Sequence, residues 1–256
     1  MDLHPEDFPE IISCLDQKAE SEGYTKIFAK VPARFYPSFV NAGYASEAWI
    51  PGFYNDREDV FLLAKYFSLS RKLPEKEAME RFQQFLLTAS ASPASDLPKG
   101  YSLKALAEED VCAMTILFKE VFESYPFPIF DPDFIVKSMK EDDTRYFGAY
   151  HSGVLVGISS AEYQKKYQHA EMTDFAVSQQ HRGKRLAVHL LKFMEQELSI
   201  MGCQTFFTIA RLHSLPMNKT FMSMGYRYSG TMINNTQISG NIESMNIWYK
   251  KCSKRH

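Results

Sequence analysis

The 256-residue sequence is short of the features that would tie it to a membrane, an oxidising compartment or a nucleic acid. It has four cysteines, Cys14, Cys112, Cys203 and Cys252, scattered and without a Cys-x-x-Cys pair. That spacing offers neither a disulfide framework nor a thiolate zinc site. Charge of one sign is not in excess: 29 Lys and Arg face 31 Asp and Glu, for a formal net charge of -2. No overall basic field results, so nucleic acid is not expected as a partner. No apolar run is long enough to cross a bilayer, so no membrane partner is expected either. Met1 to Glu10 is acidic, with two prolines and no basic segment leading into an apolar run, so no signal peptide is expected. The expected compartment is the cytoplasm. The Asn-x-Thr triplets at Asn218 and Asn234 therefore carry no glycosylation meaning. His169, His181, His189 and His213 fall on a strand start, a turn, a helix and a loop, so no metal site is expected.

What is present is a globular composition, 45% hydrophobic and 14% aromatic, suited to a packed α/β core with apolar pockets. Apolar spacing predicts a helix over 5–22, a strand over 26–31, a short helix after Pro32 closed by Gly43-Tyr44, strands over 47–54 and 59–67, and a charged helix over 74–87. Thr88 to Pro98 is small, polar and aperiodic, and reads as a linker between domains at 1–97 and 98–256. The second part reads as a strand over 101–107, a helix with the acidic first turn Glu108-Glu109-Asp110, and an aromatic, proline-rich loop, 125–132, able to line a pocket or simply to cover the surface. A short helix, a hairpin around Ser152-Gly153, and a strand over 170–177 follow. After the helix over 184–201 come a strand, 205–210, a helix, 217–224, and strands over 228–233 and 244–250 joined by a polar connection, 234–243. Residues 26–67 and 205–250 share one order: strand, helix, Gly-Tyr, strand, strand. The first copy is a half-domain that needs a face to pack on, in the same chain or in a second copy, which makes a homodimer a candidate assembly.

The stretch from Glu171 to Leu198 concentrates the chemistry. A strand bearing Glu171 and Asp174 runs into Gln180-His-Arg-Gly-Lys-Arg185 and then into an amphipathic helix. Free backbone N–H groups and the helix dipole make such a turn an anion cradle. With this turn, the order of elements over about residues 100–251 resembles the GNAT family of acetyl-CoA-dependent N-acetyltransferases. The runs Thr173-Asp-Phe-Ala-Val177, Ile209-Ala-Arg211, Met217-Asn218, Gly225-Tyr-Arg-Tyr-Ser-Gly-Thr231, Asn234-Asn-Thr236 and Ile242-Glu-Ser-Met-Asn246, with Pro51-Gly-Phe-Tyr54, are similar to those of the beta-lysine N-acetyltransferases.

The resemblance implies a GNAT-type mixed sheet preceded by a smaller, half-GNAT-like α/β domain, and acetyl transfer from acetyl-CoA, as co-substrate and without a metal, to the side-chain amine of beta-lysine. The alternatives are a GNAT enzyme for another small amine or diamino acid, and a non-catalytic acyl-CoA-binding module. Cofactor contacts are expected from the backbone of Phe175, Ala176 and Val177, from Gln180, His181, Arg182, Gly183, Lys184, Arg185, Leu186 and Ala187, and from Asn218 and Phe221. A lysine-like amine is almost wholly protonated near neutrality, and lowering its pKa by ~3 units is worth roughly 4 kcal/mol. A carboxylate that takes the proton is therefore wanted. Glu171 stands at the position of the glutamate base in some members; its other reading is a strand-end salt bridge. Strand parity separates Asp174 from Glu171 unless a bulge intervenes. Asp174, Arg211, Asn234, Asn235 and Glu243 are the expected substrate contacts, with Glu243 suited to an ammonium and Arg211 to a carboxylate. Two positions depart from the family. Phe221 replaces the tyrosine that protonates the leaving thiolate, leaving Tyr226 or water, and Arg185 stands where glycine or alanine is usual.

Overall fold

A computed structural model of the chain describes residues 3, 5–90, 96–238 and 240–252. The linker reading at 88–98 therefore lies partly outside the described residues. The N-terminal part carries α1 (Glu10–Ser21), β1 (Lys26–Pro32), α2 (Tyr36–Asn41), β2 (Ala45–Tyr54), β3 (Glu58–Tyr66), α3 (Leu69–Lys72) and α4 (Lys76–Thr88). Then follow β4 (Tyr101–Leu106), α5 (Val111–Val121), α6 (Pro132–Glu141), β5 (Thr144–His151), β6 (Val154–Gln164), β7 (His169–Val177), α7 (Leu186–Ile200), β8 (Thr205–Arg211), α8 (Leu215–Ser223), β9 (Arg227–Ile238) and β10 (Asn241–Lys251).

The strands form two sheets. One has the order β1-β3-β2, the other β4-β5-β6-β7-β8-β10-β9. Among the described residues of the large sheet only β7 and β8 pair in parallel, and that pairing covers His169–Thr205, Ala170–Phe206 and Glu171–Phe207 before the strands part. The repeat expected from sequence is visible as topology: β1-β3-β2 and β8-β10-β9 both place the last strand in the middle.

One face of the large sheet is covered by α4, α7 and α8. Leu190, Leu191, Met194 and Leu198 of α7 meet Ala170 and Met172 of β7, and Phe82 of α4 meets Trp248. The apolar positions of α7 recur every three or four residues, which turns one stripe of the helix inward. The opposite face is divided. Towards β4–β6 it is covered by α5 and α6, through Met114, Phe118 and Ile135. Towards β8–β10 it is covered by the small sheet, whose Ile50, Phe53 and Leu62 join Phe207, Met232 and Ile247 in one core cluster. Between the two covers lies a seam, and β7 runs along it.

The half-domain thus finds its packing face within its own chain. Polar clamps fix it there. The Trp49 amide donates to Ser229 Oγ at 2.9 Å, and Lys26 Nζ donates to the Ile233 carbonyl at 2.7 Å. Lys251 bridges Asp56 at 2.5 Å and donates to Thr205 Oγ1 at 2.8 Å. Gly230 lets the layers close: a Cβ there would sit 2.0 Å from the Glu47 carbonyl oxygen.

Three local expectations change. The polar connection over 234–243 is mostly strand, because β9 and β10 continue as a hairpin past Glu243–Thr236 to Asn241–Ile238. Its amide-rich side chains are accommodated by pairing and by α3, a turn of helix that apolar spacing did not mark. The helix over 184–201 begins only at Leu186, since Arg185 is left-handed at φ 58.

Candidate functional site

The strand β7 carries the centre of the site. Its register with β6 slips between Ile158–Ala176 and Ser160–Thr173, so two residues of β7 oppose one of β6. Asp174 takes φ 54 in this bulge. Aspartate tolerates that region better than most residues, and here its carboxylate is held on both oxygens. Tyr125 Oη donates to Oδ1 at 2.5 Å, and Ser160 Oγ donates to Oδ2. The bulge cancels the parity argument that separates Asp174 from Glu171, and the two carboxylates act on one another electrostatically. Burial raises the Asp174 carboxyl above its usual range, against the hydrogen bonds from Ser160, Tyr125 and Thr173.

Glu171 is paired with Glu162 across β6 and β7 and with Phe207 at the last β7–β8 pair. Burial pushes its carboxyl up to about 7, with Lys30 opposing the rise and Glu162 and Asp174 adding to it. The strand-end salt bridge is not formed: among the described residues no cation lies within 4.0 Å of Glu171. It opens instead on a cavity of about 380 Å³ at the seam, lined from the large sheet by Glu162, His169 and Phe207 and from the small sheet by Lys30, Phe53 and Tyr54. His169 stacks on Phe53 with ring centroids 3.7 Å apart, and burial lowers its pKa to about 3, so it is neutral.

The turn after β7 is compact. The His181 amide donates to the Ser178 carbonyl at 2.9 Å and the Arg182 amide to Gln179 at 3.3 Å. The Val188 and His189 amides return to the Arg185 carbonyl. Among the described residues, the amides of Gly183, Lys184, Leu186 and Ala187 enter no such backbone bond, which leaves donors at the start of α7. Gln180, Arg182 and Lys184 are exposed, and Leu186 turns its side chain into the core. Tyr101 braces the turn, bonding His181 Nδ1 and receiving Lys184 Nζ, each at 2.7 Å. Phe175 faces Phe221 and Ala176 faces the α5 side, so what these residues turn to the gap beside β8 is backbone. A chain of amides in an extended ligand can pair with that edge, and a diphosphate with the turn.

Other expected residues are placed elsewhere. Asn218 is fully buried, and all its hydrogen-bonding capacity is spent inside: its Nδ2 donates to the carbonyls of Arg211 and Ser214, and its Oδ1 accepts from Asn246 and Trp248. It ties β8, α8 and β10 together and has nothing left for a ligand. Phe221 is core, packed edge-on against Phe175 and Tyr226. Tyr226 is buried, its pKa raised well above the usual value by burial and by Glu195 on the third turn of α7, and it lies under Lys250. Its hydroxyl oxygen is buried in the core. Asn234 is engaged with α3 and the residue that follows it, its Nδ2 donating to the carbonyls of Arg71 and Leu73 at 2.9 and 2.8 Å. Asn235 Oδ1 is buried without a partner among the described residues. Arg211 and Glu243 find each other: Nε to Oε2 is 2.9 Å and Nη2 to Oε1 is 2.5 Å. The two charges expected for opposite ends of a substrate are thus a closed, two-point ion pair.

Sequence reasoning passed over Lys30, Glu162 and Tyr125. For Tyr125 a signal existed, the aromatic loop after α5. Lys30 carries none, since only the packing of the small sheet brings it to Glu171, and Glu162 reaches Glu171 through the register of β6 with β7. Among the described residues no group of three or more His, Cys, Asp or Glu side chains is arranged to hold a metal, and no helix is long and apolar enough to cross a membrane.

The sequence profile of the Acetyltransferase (GNAT) family matches residues 104–226. The chain is 37% identical over 246 residues to the beta-lysine N(6)-acetyltransferase of Methanococcus maripaludis, covering 95% of this chain and 89% of that one. It is 30% identical to N-acetyltransferase YodP of Bacillus subtilis, covering 95% of this chain and 86% of the relative. Among solved structures, yncA of Salmonella typhimurium with its cofactor acetyl-CoA shares the fold at TM-score 0.53 and 14% identity, covering 61% of this chain and 96% of that one. The splayed strands, the amide-lined turn and these likenesses agree: the chain belongs to the GNAT family of acetyl-CoA-dependent N-acetyltransferases.

Proposed function

We propose that the protein transfers the acetyl group of acetyl-CoA to the side-chain amine of beta-lysine, producing a neutral-side-chain osmolyte in the cytoplasm. One observation carries this reading. Glu171 ends the β7–β8 pairing inside the seam cavity, with a carboxyl whose pKa of about 7 suits a general base. The Methanococcus relative, similar over nearly the whole chain, supports the substrate.

Acetyl-CoA supplies the acetyl group already activated as a thioester. The turn residues Gly183 to Ala187 fit its diphosphate, and the free edge of β7 from Met172 to Val177 fits its amide-bearing arm. Glu171 takes a proton from the substrate ammonium, directly or through water, and frees the nitrogen lone pair for attack. The C–N bond forms as the C–S bond breaks, and the thiolate takes its proton from water. Asp174, fixed by Tyr125 and Ser160, orients the amine beside the bulge. The domain division at 97/98 belongs to the same reading: the second part holds acetyl-CoA, and the first closes the substrate side.

The test is a mass-spectrometric screen of purified protein with acetyl-CoA over beta-lysine, lysine, ornithine and polyamines. The highest kcat/KM is expected for beta-lysine, acetylated at the side-chain amine. A protein that binds acetyl-CoA and acetylates none of these would sink the proposal.

A further inference from the structure

Lys30 is the cation of the seam cavity. It stands on β1, with Nζ 5.4 Å from the centre of the Phe207 ring. It acts electrostatically on Glu162, His169 and Glu171, which all line the same cavity. Yet among the described residues it makes no ion pair within 4.0 Å and no hydrogen bond. Other lysines of the two sheets behave differently. Lys26 is bonded to Glu47 at 2.8 Å, Lys65 to Asp16 at 2.6 Å, and Lys250 to Glu195 at 2.7 Å. A half-buried ammonium held among aromatic rings without a partner is costly, and an arriving anion relieves that cost.

The cavity has a charge pattern of its own. It presents two carboxylates, Glu162 at the mouth and Glu171 deeper in, and one ammonium, Lys30, while His169 is neutral. Its volume of about 380 Å³ falls in the ~300–1,000 Å³ range of small-molecule sites. Phe53 and Phe207 supply apolar wall between the charges. A molecule with two ammonium groups, one carboxylate and a short methylene chain meets an opposite charge at each end. A plain diamine would face Lys30 with nothing to offer it.

We propose that Lys30 is the receptor for the substrate's carboxylate and that Glu162 faces the ammonium group that is not acetylated, so that the small sheet selects diamino acids over diamines. This rests on the acetyltransferase reading above and names how its substrate class is chosen. It also gives the small sheet a function. The Methanococcus relative matches 95% of this chain, small sheet included, whereas the structural neighbour yncA covers 61%.

The test compares beta-lysine with 1,4-diaminopentane, the same diamine without the carboxylate. The wild-type protein is expected to favour beta-lysine by at least about 10-fold in kcat/KM. Measured at pH 9, above the Glu171 ionisation, Lys30→Gln should raise KM for beta-lysine about 10- to 100-fold with kcat changed less than about 3-fold, and leave the diamine's KM in place. Lys30→Glu should reverse the preference, and Lys30→Arg should restore most of the wild-type KM. If both substrates lose activity in parallel in Lys30→Gln, or the wild-type protein does not distinguish them, the assignment is overturned. Thermal melting checks each variant; if Lys30→Gln unfolds early, the wild-type preference and the Lys30→Arg profile decide. If beta-lysine is not a substrate, the proposed function fails separately. The same pair of measurements then runs with the amine found in the screen and its carboxylate-free counterpart, and a preference lost in Lys30→Gln still assigns Lys30.

Discussion

Two charged clusters sit on the same face of the large sheet, and they differ in one respect. Arg211 and Glu243 close on each other through two hydrogen bonds. Lys30, Glu162 and Glu171 share a cavity and do not pair. A closed pair satisfies its own charges and holds strands together; β8 and β10 are the two it joins. An open cluster pays for burial in shifted proton affinity, and the rise of Glu171 to about 7 is that cost made visible. Residue type alone would assign substrate charges to the first cluster. Partnering assigns them to the second.

The sharpest way to break this comparison is to remove the carboxylate from the open cluster. Glu171→Gln is expected to lower kcat for beta-lysine by about 10²- to 10⁴-fold, the usual worth of a general base, while acetyl-CoA still binds. An unchanged kcat by initial-rate assay would remove Glu171 from the mechanism. The same variant has a second signature. A carboxyl whose folded pKa lies above its unfolded value takes up protons on folding, so its ionisation weakens the fold as pH rises from about 4.5 to 7. Glu171→Gln should therefore melt above the wild-type protein at pH 8 by the equivalent of roughly 1–3 kcal/mol, with the gap closing by pH 4.5.

In the closed cluster the signs invert. Arg211→Ala leaves the buried Glu243 carboxylate alone and should cost about 2–4 kcal/mol in chemical denaturation. The preference for beta-lysine over its carboxylate-free counterpart should survive. Loss of that preference with stability intact would make Arg211 a substrate ligand after all.

The smallest effect is expected at the turn. Arg185 occupies a left-handed conformation at φ 58, where an ordinary side chain is disfavoured and glycine is not. Arg185→Gly should leave acetyl-CoA affinity within about 3-fold of wild type or tighten it, read by calorimetry. A loss beyond about 10-fold would mean that its guanidinium grips the cofactor.

How much of this was legible in the sequence depends on range. The α7 stripe, the anion-type turn and the Glu171 strand are local patterns, and they stand where periodicity puts them. The repeat of strand, helix, strand, strand also survives, as matching strand orders. What failed was mostly pairing between distant positions. Asn218 has the type of a ligand but is saturated by Arg211, Ser214, Asn246 and Trp248. Tyr226 offers a hydroxyl, yet the fold turns it towards Glu195. The bulge at Asp174 shifts the facing of β7 without a glycine to announce it. Lys30 belongs to a strand remote from the recognised turn, and only docking of the small sheet gives it a role. Composition cannot show which charges end up paired.

The most direct test of the open cluster is the pH dependence of kcat/KM for beta-lysine in the wild-type protein and in Glu171→Gln. The wild-type profile should fall on the acid side of an ionisation near 7, about tenfold per pH unit well below it, as Glu171 becomes protonated. In Glu171→Gln the break near 7 should vanish, leaving a low rate that rises about tenfold per pH unit straight through 7, following deprotonation of the substrate amine alone. A break retained near 7 in Glu171→Gln would contradict the assignment and place the base elsewhere.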